Sequence, residues 1–513
     1  MSWLIVGISA FQQTSRLGKC PRRPGSRRDP RPPGAKGRAM IAASRPVSSS
    51  DRGLERGPRL RVASRCACPL SCHARTPGRG AARLKSRLTL LDCLAIGING
   101  IIGSGIFLLP ARVFAAAGGL AWASWFAVGG VCLLVGLCFG EVASGTERSG
   151  GPYVYARAAF GDWVGFAVGW MAFASVVLSY AAVARALGRN LSYIVPSLAA
   201  PLAQGALAAA VVAALALLNW RGVKPGAVAS DVFSGAKLLP LLGFVAVGLF
   251  FIEPHRLAVP PPHGESALTA LRLGGLAGLF ACTGFEYVPV PAGETDNPRR
   301  NVPLALLGAL LGATLLYALV EIVFMGTHPD PANADKPLAE AAAAFAGPWA
   351  ARLLTVGAAV SSFGYCTGVA LVGPRYLSAL ADDGLVPPAL GRRHPRFATP
   401  GVAIVVTAAV TMALALWADF DRLSDLGNVA VFAQYLSTCL AVPVLRWLQP
   451  DIPRRFRLPF GPLIPVAGTA GCLLFLKDMK GDDLRFALVT LAGGLALFAV
   501  LRWARRSALG RAQ

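Results

Sequence analysis

Residues 97–110 read GINGIIGSGIFLLP and lie in an apolar run that is long enough to cross a membrane. A bilayer core about 30 Å thick requires about 20 apolar residues in helical form. Four glycines and a serine are unusual in such a helix, and three of these residues are consecutive: Gly103, Ser104 and Gly105. The stretch therefore predicts a membrane helix that is interrupted at this triplet.

The composition of the whole chain also indicates a membrane protein. Of the 513 residues, 54% are hydrophobic and 15% are charged, whereas a soluble domain has about 25% charged residues. From Leu88 onward, apolar segments recur between short polar links. Unbroken Ala, Leu, Val and Gly runs favour helices over the short alternating segments of a β-barrel. We expect an all-α integral membrane protein.

The net charge of +24 does not indicate nucleic-acid binding, because most of it lies at one end of the chain. Residues 1–87 contain 20 Lys and Arg against 3 Asp and Glu, and the remainder contains 30 against 23. The first segment has no apolar periodicity, so we expect a disordered basic tail, with a lipid-binding arm as the alternative. Its cysteine and histidine cluster lacks paired zinc-site spacing, and we expect no metal or cofactor. That cluster is Cys66, Cys68, Cys72 and His73.

Apolar runs predict twelve spans, which start near residues 88, 120, 163, 203, 234, 273, 303, 350, 401, 426, 462 and 485. With a cytoplasmic amino terminus, the inner side carries 18 Lys and Arg outside the tail, against 11 on the outer side. This bias favours both termini in the cytoplasm. We expect the chain to cross a plasma (inner) membrane.

Two spans are interrupted: the first, at residues 103–105, and the sixth, at residues 280–286, which read FACTGFE. They are five spans apart, so they run in opposite directions through the membrane. This offset predicts an inverted repeat of five plus five helices, with a broken helix opening each half and two further helices at the end. The predicted divisions are residues 1–87, 88–253, 254–448 and 449–513.

An interrupted membrane helix exposes backbone groups that need partners, since each unsatisfied group costs several kcal/mol in hydrocarbon. Freed N–H groups attract an anion and freed carbonyl groups attract a cation. A ligand with both a carboxylate and an ammonium fits these ends, which predicts an amino acid site. The alternative is a close-packing surface of small residues. Glu286, a carboxylate at membrane depth in the second break, favours a functional site.

Several stretches resemble amino acid permeases of the amino acid/polyamine/organocation superfamily, which has the LeuT-type fold. They include GINGIIGSGIFLLP with GGLAWASW, then GEVASGTERSGGPYVYARAAFG, then GLFACTGFE with NPRRNVPLA, and finally GVALVGPRYLSALADDGLVPPALGRRHPRFATP. These matches occur in order over about 420 residues. The resemblance implies a secondary transporter for amino acids.

The resemblance also implies roles for individual residues. The substrate carboxylate is expected at the N–H groups of Gly103, Ser104 and Gly105. The ammonium is expected at carbonyl groups near Ile101, Phe280 and Thr283, beside Gly284. Phe280 is expected to gate the site, with a core or lipid contact as the alternative. Glu286 is expected either to couple protons or select cationic substrates, or to bond to the unwound backbone.

Lys237, in the fifth span, resembles the lysine that replaces a bound sodium ion in sodium-independent relatives. It is expected to act as a fixed charge or to carry a proton, with a snorkelling lysine as the alternative. Ser361 and Ser362 are weaker candidates nearby. Glu141 and Arg375 match family positions near the inner surface, and gating or loop anchoring is expected there, with a positive-inside anchor as the simpler alternative for Arg375. Pro110 is expected to end or bend the outer half of the first span.

The five histidines lie in the tail or in loops, and no nucleophile, base or metal set lies at membrane depth, so we expect no enzyme. A channel is disfavoured because channels usually repeat a selectivity filter by symmetry, whereas the two breaks here differ in sequence. A transport-dead sensor is disfavoured because the basic tail does not resemble a signalling domain. We expect a sodium-independent, proton-coupled amino acid transporter that works by alternating access. An exchanger of amino acids or polyamines is the alternative. The expected partners are the substrate, protons and the lipid bilayer; the sequence requires no partner subunit.

Overall fold

The computed structural model describes residues 88–146, 148, 150–221 and 224–510, without the side chains of residues 224–234, 263, 294, 505, 506 and 508–510. The predicted tail, with its cysteine and histidine cluster, lies outside the described residues. The described part of the chain consists of helices and the loops that connect them, and it contains no β-strand beyond one isolated bridge between Leu88 and Thr295. The predicted all-helical class is therefore confirmed for that part.

Eight helices precede residue 249, where a long connection begins that extends to residue 266. They are α1 (Leu90–Ile101), α2 (Gly105–Leu108), α3 (Pro110–Ala117), α4 (Ala121–Ser144), α5 (Pro152–Phe160), α6 (Asp162–Leu191), α7 (Pro201–Trp220) and α8 (Lys224–Gly248). Helix α1 begins with a capping box, in which the Thr89 hydroxyl accepts the Asp92 N–H and the Asp92 carboxylate accepts the Thr89 N–H. Pro110, Pro152 and Pro201 occupy first-turn positions, where a missing N–H costs nothing.

Nine helices follow. They are α9 (Pro254–Leu257), α10 (Ala267–Cys282), α11 (Pro298–Thr327), α12 (Pro337–Ala346), α13 (Pro348–Asp382), α14 (Gly401–Trp417), α15 (Phe420–Leu448), α16 (Leu463–Lys477) and α17 (Gly481–Gly510). The short helices α5 and α12, which lie between predicted spans, are not among the twelve predicted elements. Each begins with proline at its first position, a local signal for a helix start.

Nine helical segments of the described residues are long and apolar enough to cross a membrane. Three more apolar helices lie at the predicted fifth, ninth and eleventh spans and are shorter, at 10–17 residues within their described parts. Helix α6 is the most enclosed of the nine, with 89% of its most apolar stretch buried, whereas α17 has 11% buried and lies at the periphery. Helix α6 packs against α13 and α15, while α4 packs against α10 and α11.

The sixth span differs from its prediction after the break. The sequence predicts it over residues 274–293, whereas α10 begins earlier, at Ala267, and no α-helix of the described chain resumes before Pro298. Two 3₁₀ turns, Phe285–Tyr287 and Ala292–Glu294, follow the break. Pro289 and Pro291 then prevent helix formation, because proline lacks an N–H and its ring clashes with the carbonyl group four residues earlier.

Candidate functional site

The first break lies where the sequence predicts it. Helix α1 ends at Ile101, Ile102 has extended backbone angles (φ −82°, ψ 90°), and helical structure resumes at Gly105. Ser104 is fully buried, and its hydroxyl has no hydrogen-bond partner among the described residues. The first N–H groups of the resumed helix have no acceptor within that helix. The break thus presents polar groups inside an apolar core.

The second break follows Cys282, the last residue of α10. Thr283 is extended, and Gly284 adopts φ +106°, a conformation that residues with a Cβ rarely adopt. The Thr283 hydroxyl and N–H both point to the Phe280 carbonyl oxygen, at 2.8 and 3.3 Å. Phe280 and Thr283 are each 6% exposed, so this break is also interior.

The two breaks touch one another. A Cβ atom placed on Gly284 would lie 2.1 Å from the Gly100 carbonyl oxygen, and one placed on Gly100 would lie 2.8 Å from the Gly284 carbonyl oxygen. A Cβ atom on Gly105 would lie 2.9 Å from both Cα and Cβ of Ala281. Only glycine permits backbones to approach this closely. Segments that are far apart in the sequence therefore form one region.

Lys237 reaches this region from α8. It is fully buried, and its ammonium group donates to the carbonyl oxygens of Ile102 at 2.5 Å and Asn99 at 3.3 Å. The alternative of a snorkelling lysine is therefore not what the structure shows. The interruption of the helix leaves these carbonyl groups with fewer hydrogen-bond donors. The Lys237 ammonium group donates to them from α8, in the way that a bound cation would contact them.

Two hydroxyl groups also contact the first break. Ser361 donates to the Gly103 carbonyl oxygen at 2.9 Å and lies 3.3 Å from that of Ile102. Tyr317 donates to the Ile101 carbonyl oxygen at 3.1 Å. Ser362 instead donates to Ala358 of its own helix. The carbonyls of three consecutive residues are thus bonded by other helices.

Glu286 bonds to the unwound backbone. Its Oε2 atom accepts the Gly284 N–H at 2.9 Å and the Tyr435 hydroxyl at 3.1 Å, while Oε1 has no hydrogen-bond partner among the described residues. The side chain is fully buried. These contacts match the structural alternative for Glu286, and its role in coupling or substrate selection stays a prediction.

The Phe280 ring points toward α15. It packs edge-on against Phe420, with ring centroids 5.7 Å apart and an interplanar angle of 86°. Its Cε2 atom would lie 3.9 Å from a Cβ atom on Gly427. Phe280 therefore joins the second break to the first two turns of α15, and its gating role stays a prediction.

A cavity of about 620 Å³ lies beyond the first break, where α3, α6, α15 and the segment before α12 meet. Charges of both signs line it. Arg112 pairs with Asp421 at 3.3 Å and with Asp425 at 3.0 Å, and Arg189 pairs with Asp421 and Asp335, each at 2.9 Å. These partly exposed ion pairs join α3, α6, α15 and the segment before α12.

The remaining predicted positions have structural contacts. Glu141 accepts two hydrogen bonds from Arg446, at 2.7 and 2.6 Å, and one from the Leu458 N–H at 2.7 Å. This buried pair fastens the end of α4 to α15 and to the loop that follows it, a contact of the anchoring kind. Arg375 lies half-buried within α13. Pro110 occupies the first turn of α3, immediately after Leu109.

A second ionic cluster fastens the loop before α5 to the end of α13. Asp383 accepts hydrogen bonds from Arg148 at 2.9 Å and from Tyr153 at 2.7 Å, and it pairs with Arg157 at 2.7 Å. Burial raises the pKa of the Asp383 carboxyl, but these hydrogen bonds outweigh it and hold the pKa below its usual value.

We predict that Asp383→Asn lowers thermal stability in a pH-dependent way. A lowered folded-state pKa stabilises the fold above the unfolded value of about 3.9, and this contribution is lost as pH falls through the folded value. At neutral pH the variant should lose about 1.5–3 kcal/mol, the usual size for hydrogen bonds to a charged group. Thermal unfolding measured from pH 7 downward should show that the difference in stability between wild type and variant disappears below about pH 4. A difference that stays constant with pH would contradict a contribution from the ionised Asp383 carboxylate.

Sequence reasoning missed several polar groups around the breaks. Tyr317 and Tyr435 gave no signal, because one tyrosine in an apolar helix is ordinary. Glu321 did give a signal, as a lone carboxylate in the apolar run ATLLYALVEIVFMG. It is fully buried and accepts a hydrogen bond from the Trp125 indole N–H at 2.9 Å.

The sequence is similar to known transporters. The family described as "Amino acid permease" matches residues 88–477. The branched-chain amino acid permease BcaP of Bacillus subtilis is 28% identical over 438 residues, which cover 82% of this chain and 93% of BcaP. The methylthioribose transporter of the same organism is 28% identical, with coverages of 82% and 94%. Its serine/threonine exchanger SteT is 28% identical, with coverages of 80% and 95%.

Proposed function

The chain belongs to the amino acid permease family of the amino acid/polyamine/organocation superfamily, and from that premise we propose that it is a secondary transporter that moves amino acids by alternating access. It is a multi-pass integral membrane protein. Membership of this family implies transport rather than enzymatic catalysis. The substrate class follows from the family, and the mechanism below is our proposal.

The contact between the two helix breaks is the observation that carries the proposal. Gly100 and Gly284 meet backbone to backbone, and Gly105 meets Ala281, which brings the amino end of α2 near the carboxyl ends of α1 and α10. We propose that the N–H groups of Gly103, Ser104 and Gly105 bind the substrate carboxylate, for which the Gly103 N–H would leave the Ile101 carbonyl oxygen to which it donates at 3.1 Å. The unpartnered, buried Ser104 hydroxyl supports this assignment.

We propose that the substrate ammonium binds the carbonyl groups near Ile101, Phe280 and Thr283. In this structure the Ile101 carbonyl oxygen accepts the Tyr317 hydroxyl and the Gly103 N–H, and the Phe280 carbonyl oxygen accepts the Thr283 hydroxyl and N–H. A carbonyl oxygen has two lone pairs, so the substrate ammonium would replace one of these donors at each carbonyl. Gly284 lets the substrate approach the backbone. The Phe280 ring closes the site against α15, and movement of α15 would release it.

We propose that transport is coupled to protons and independent of sodium. The Lys237 ammonium group occupies the carbonyls of Asn99 and Ile102, where it supplies the positive charge that a sodium ion would otherwise provide. Lys237 and Glu286 are the proposed coupling groups, because both are buried beside the breaks. Movement of either break changes the hydrogen bonds on which their charge states depend.

We propose twelve crossings arranged as a five-plus-five inverted repeat, with α1–α2 and α10 opening the two halves. Residues 88–253 and 254–448 form the repeats, and the rest of the described chain adds two helices. With both termini in the cytoplasm of a plasma (inner) membrane, the Asp383 cluster lies inside and the 620 Å³ cavity outside. The ion pairs that line this cavity would then close the outer side.

An exchanger is the second candidate, and the relative named a serine/threonine exchanger favours it. The two modes differ in the state in which the carrier returns across the membrane after it has released its substrate. A symporter returns empty, whereas an exchanger returns only with a second substrate bound. Both modes use the same site.

Uptake by purified protein in liposomes tests the proposal. Labelled leucine, serine, arginine and methylthioribose would be offered to empty vesicles with and without an inward proton gradient, and to vesicles preloaded with the same compound. We expect gradient-driven amino acid uptake into empty vesicles. Uptake confined to preloaded vesicles would indicate exchange. Uptake of methylthioribose alone would contradict an amino acid substrate, and sodium dependence would contradict the role of Lys237.

A further inference from the structure

A second buried carboxylate lies near the breaks, and the proposed mechanism gives it no role. Glu321 is in α11 and is fully buried. Its Oε2 atom accepts the Trp125 indole N–H at 2.9 Å, and its Oε1 atom has no hydrogen-bond partner within the described chain. A buried carboxylate usually has several donors or a cation beside it.

Contacts of Glu321 lead to both breaks through Trp125. The Trp125 ring packs edge-on against Tyr317, with centroids 5.2 Å apart, and the Tyr317 hydroxyl donates to the Ile101 carbonyl oxygen at the end of α1. The same indole lies on Gly278, about one turn before the end of α10, where a Cβ atom would come within 3.0 Å of it. Trp125 therefore fits closely between Glu321 and both interrupted helices.

No described cation compensates Glu321. The elements packed against α11 are α1, α3, α4, α8, α9, α10, α12 and the 3₁₀ turns nearby. Helices α3, α9 and α12 carry ionisable groups that are partly or fully exposed: Arg112, His255, Arg256 and Glu340. The fully or nearly fully buried ionisable groups that the other elements carry, apart from tyrosines, are Cys93, Cys132, Cys138, Glu141, Lys237, Cys282 and Glu286. Each of the charged ones has other partners: Glu141 pairs with Arg446, Lys237 with the carbonyls of the first break, and Glu286 with Gly284 and Tyr435.

We propose that Glu321 binds a proton during the transport cycle and, through Trp125 and Tyr317, positions the first helix break according to its protonation state. The inference rests on the proposed transport function and adds a proton site to it. In the conformation of this structure, Glu321 carries the proton as a neutral carboxylic acid, since one indole donor cannot replace the hydration of an anion.

The proton balance of this step is simple. In the conformation open to one side, the carboxylate takes one proton from water at that side and becomes a neutral acid. In the conformation open to the other side, it returns that proton to water and becomes an anion again. The anion attracts the Trp125 N–H more strongly than the acid does. The indole, the Tyr317 ring and the Ile101 carbonyl therefore have different preferred positions in the two states.

Infrared spectroscopy tests proton binding without any transport. A protonated carboxylic acid has a carbonyl stretching band that is separate from the carboxylate bands. The wild-type spectrum at neutral pH should contain a band that Glu321→Gln removes. Glu340→Gln is the matched control, because Glu340 is half-buried, pairs with His328 at 3.3 Å and should be ionised. An unchanged band in Glu321→Gln would overturn the proposal.

Uptake as a function of pH tests the coupling. If one proton binds together with the substrate, KM changes by up to about tenfold per pH unit. Glu321→Gln should make KM nearly independent of pH. Trp125→Phe, which keeps an aromatic ring but removes the N–H donor, should shift the pH at which KM changes. Thr314→Val in the same helix should leave it unchanged, because the Thr314 hydroxyl donates to Leu310 of α11 itself.

The outcomes separate the two proposals. An unchanged pH dependence in both Glu321→Gln and Trp125→Phe, with active protein, would overturn the role of Glu321 and leave the transport function intact. Failure of folded wild-type protein to take up any amino acid would overturn the transport function and the coupling role with it, and the infrared band would still report whether Glu321 binds a proton.

Discussion

Gly284→Ala is expected to reduce amino acid uptake by about thirtyfold or more. The residue has φ +106°, and its new Cβ atom would lie 2.1 Å from the Gly100 carbonyl oxygen, so the two breaks must separate. The backbone conformation costs about 1–2 kcal/mol with a Cβ present, and overpacking adds about 1–3 kcal/mol. Each 1.4 kcal/mol corresponds to about a tenfold effect. Initial uptake rates in liposomes at matched protein content measure the loss.

Gly312→Ala is the control for this prediction. Gly312 lies in α11 at an exposed position, and a Cβ atom there would have no neighbour within 4 Å. Alanine favours the helix over glycine by about 1 kcal/mol, so the substitution should not destabilise α11. Since it also creates no new contact, uptake should stay at the wild-type level. Wild-type uptake by Gly284→Ala would show that the contact between the breaks does not matter for transport.

Lys237→Met is expected to reduce uptake by about five- to 150-fold. The variant keeps a long apolar side chain but removes the ammonium group that donates to Ile102 and Asn99. Leaving a buried acceptor with one donor fewer costs about 1–3 kcal/mol. Lys237→Arg should not restore uptake, since the planar guanidinium group is larger and fits a fully buried ammonium position poorly. Uptake with and without a proton gradient measures both variants.

Lys477→Met provides the comparison, because Lys477 is an exposed residue of α16 and surface substitutions usually change stability by no more than about 0.5 kcal/mol. It should retain uptake. If Lys237→Met lost only the response to the gradient and kept equilibrative uptake, Lys237 would be a coupling residue rather than a fixed structural charge. Normal, gradient-dependent uptake by Lys237→Met would contradict both roles.

Much of the fold follows from local sequence signals. The glycines of residues 97–105 predict the break after Ile101, and the stretch FACTGFE predicts the break after Cys282. In both places glycine lowers the cost of unwinding, and polar residues inside an apolar run need partners. Proline and the Thr89 capping box indicate helix starts. After the second break, Pro289 and Pro291 explain why no helix resumes. The residues around them are apolar, so the hydrophobic pattern alone predicts that the sixth span continues there.

Contacts across the bundle are not predictable in the same way. The bonds of Tyr317 to Ile101, Tyr435 to Glu286 and Trp125 to Glu321 join residues that are 216, 149 and 196 positions apart. In a membrane helix nearly every position is apolar, so the sequence does not show which face meets which neighbour. The partners of a known polar residue therefore become visible only when the helices are packed together.

Equilibrium binding tests most directly whether the two breaks together bind an amino acid. Radiolabelled amino acids would be titrated into purified wild-type protein, Gly105→Val and Gly312→Ala, all shown to be folded by thermal unfolding. Gly105 contacts Ala281 across the breaks, so valine there would fill the junction. We predict saturable binding to wild type and Gly312→Ala and none to Gly105→Val. Binding to Gly105→Val with wild-type affinity would contradict a substrate site at the junction of the two breaks.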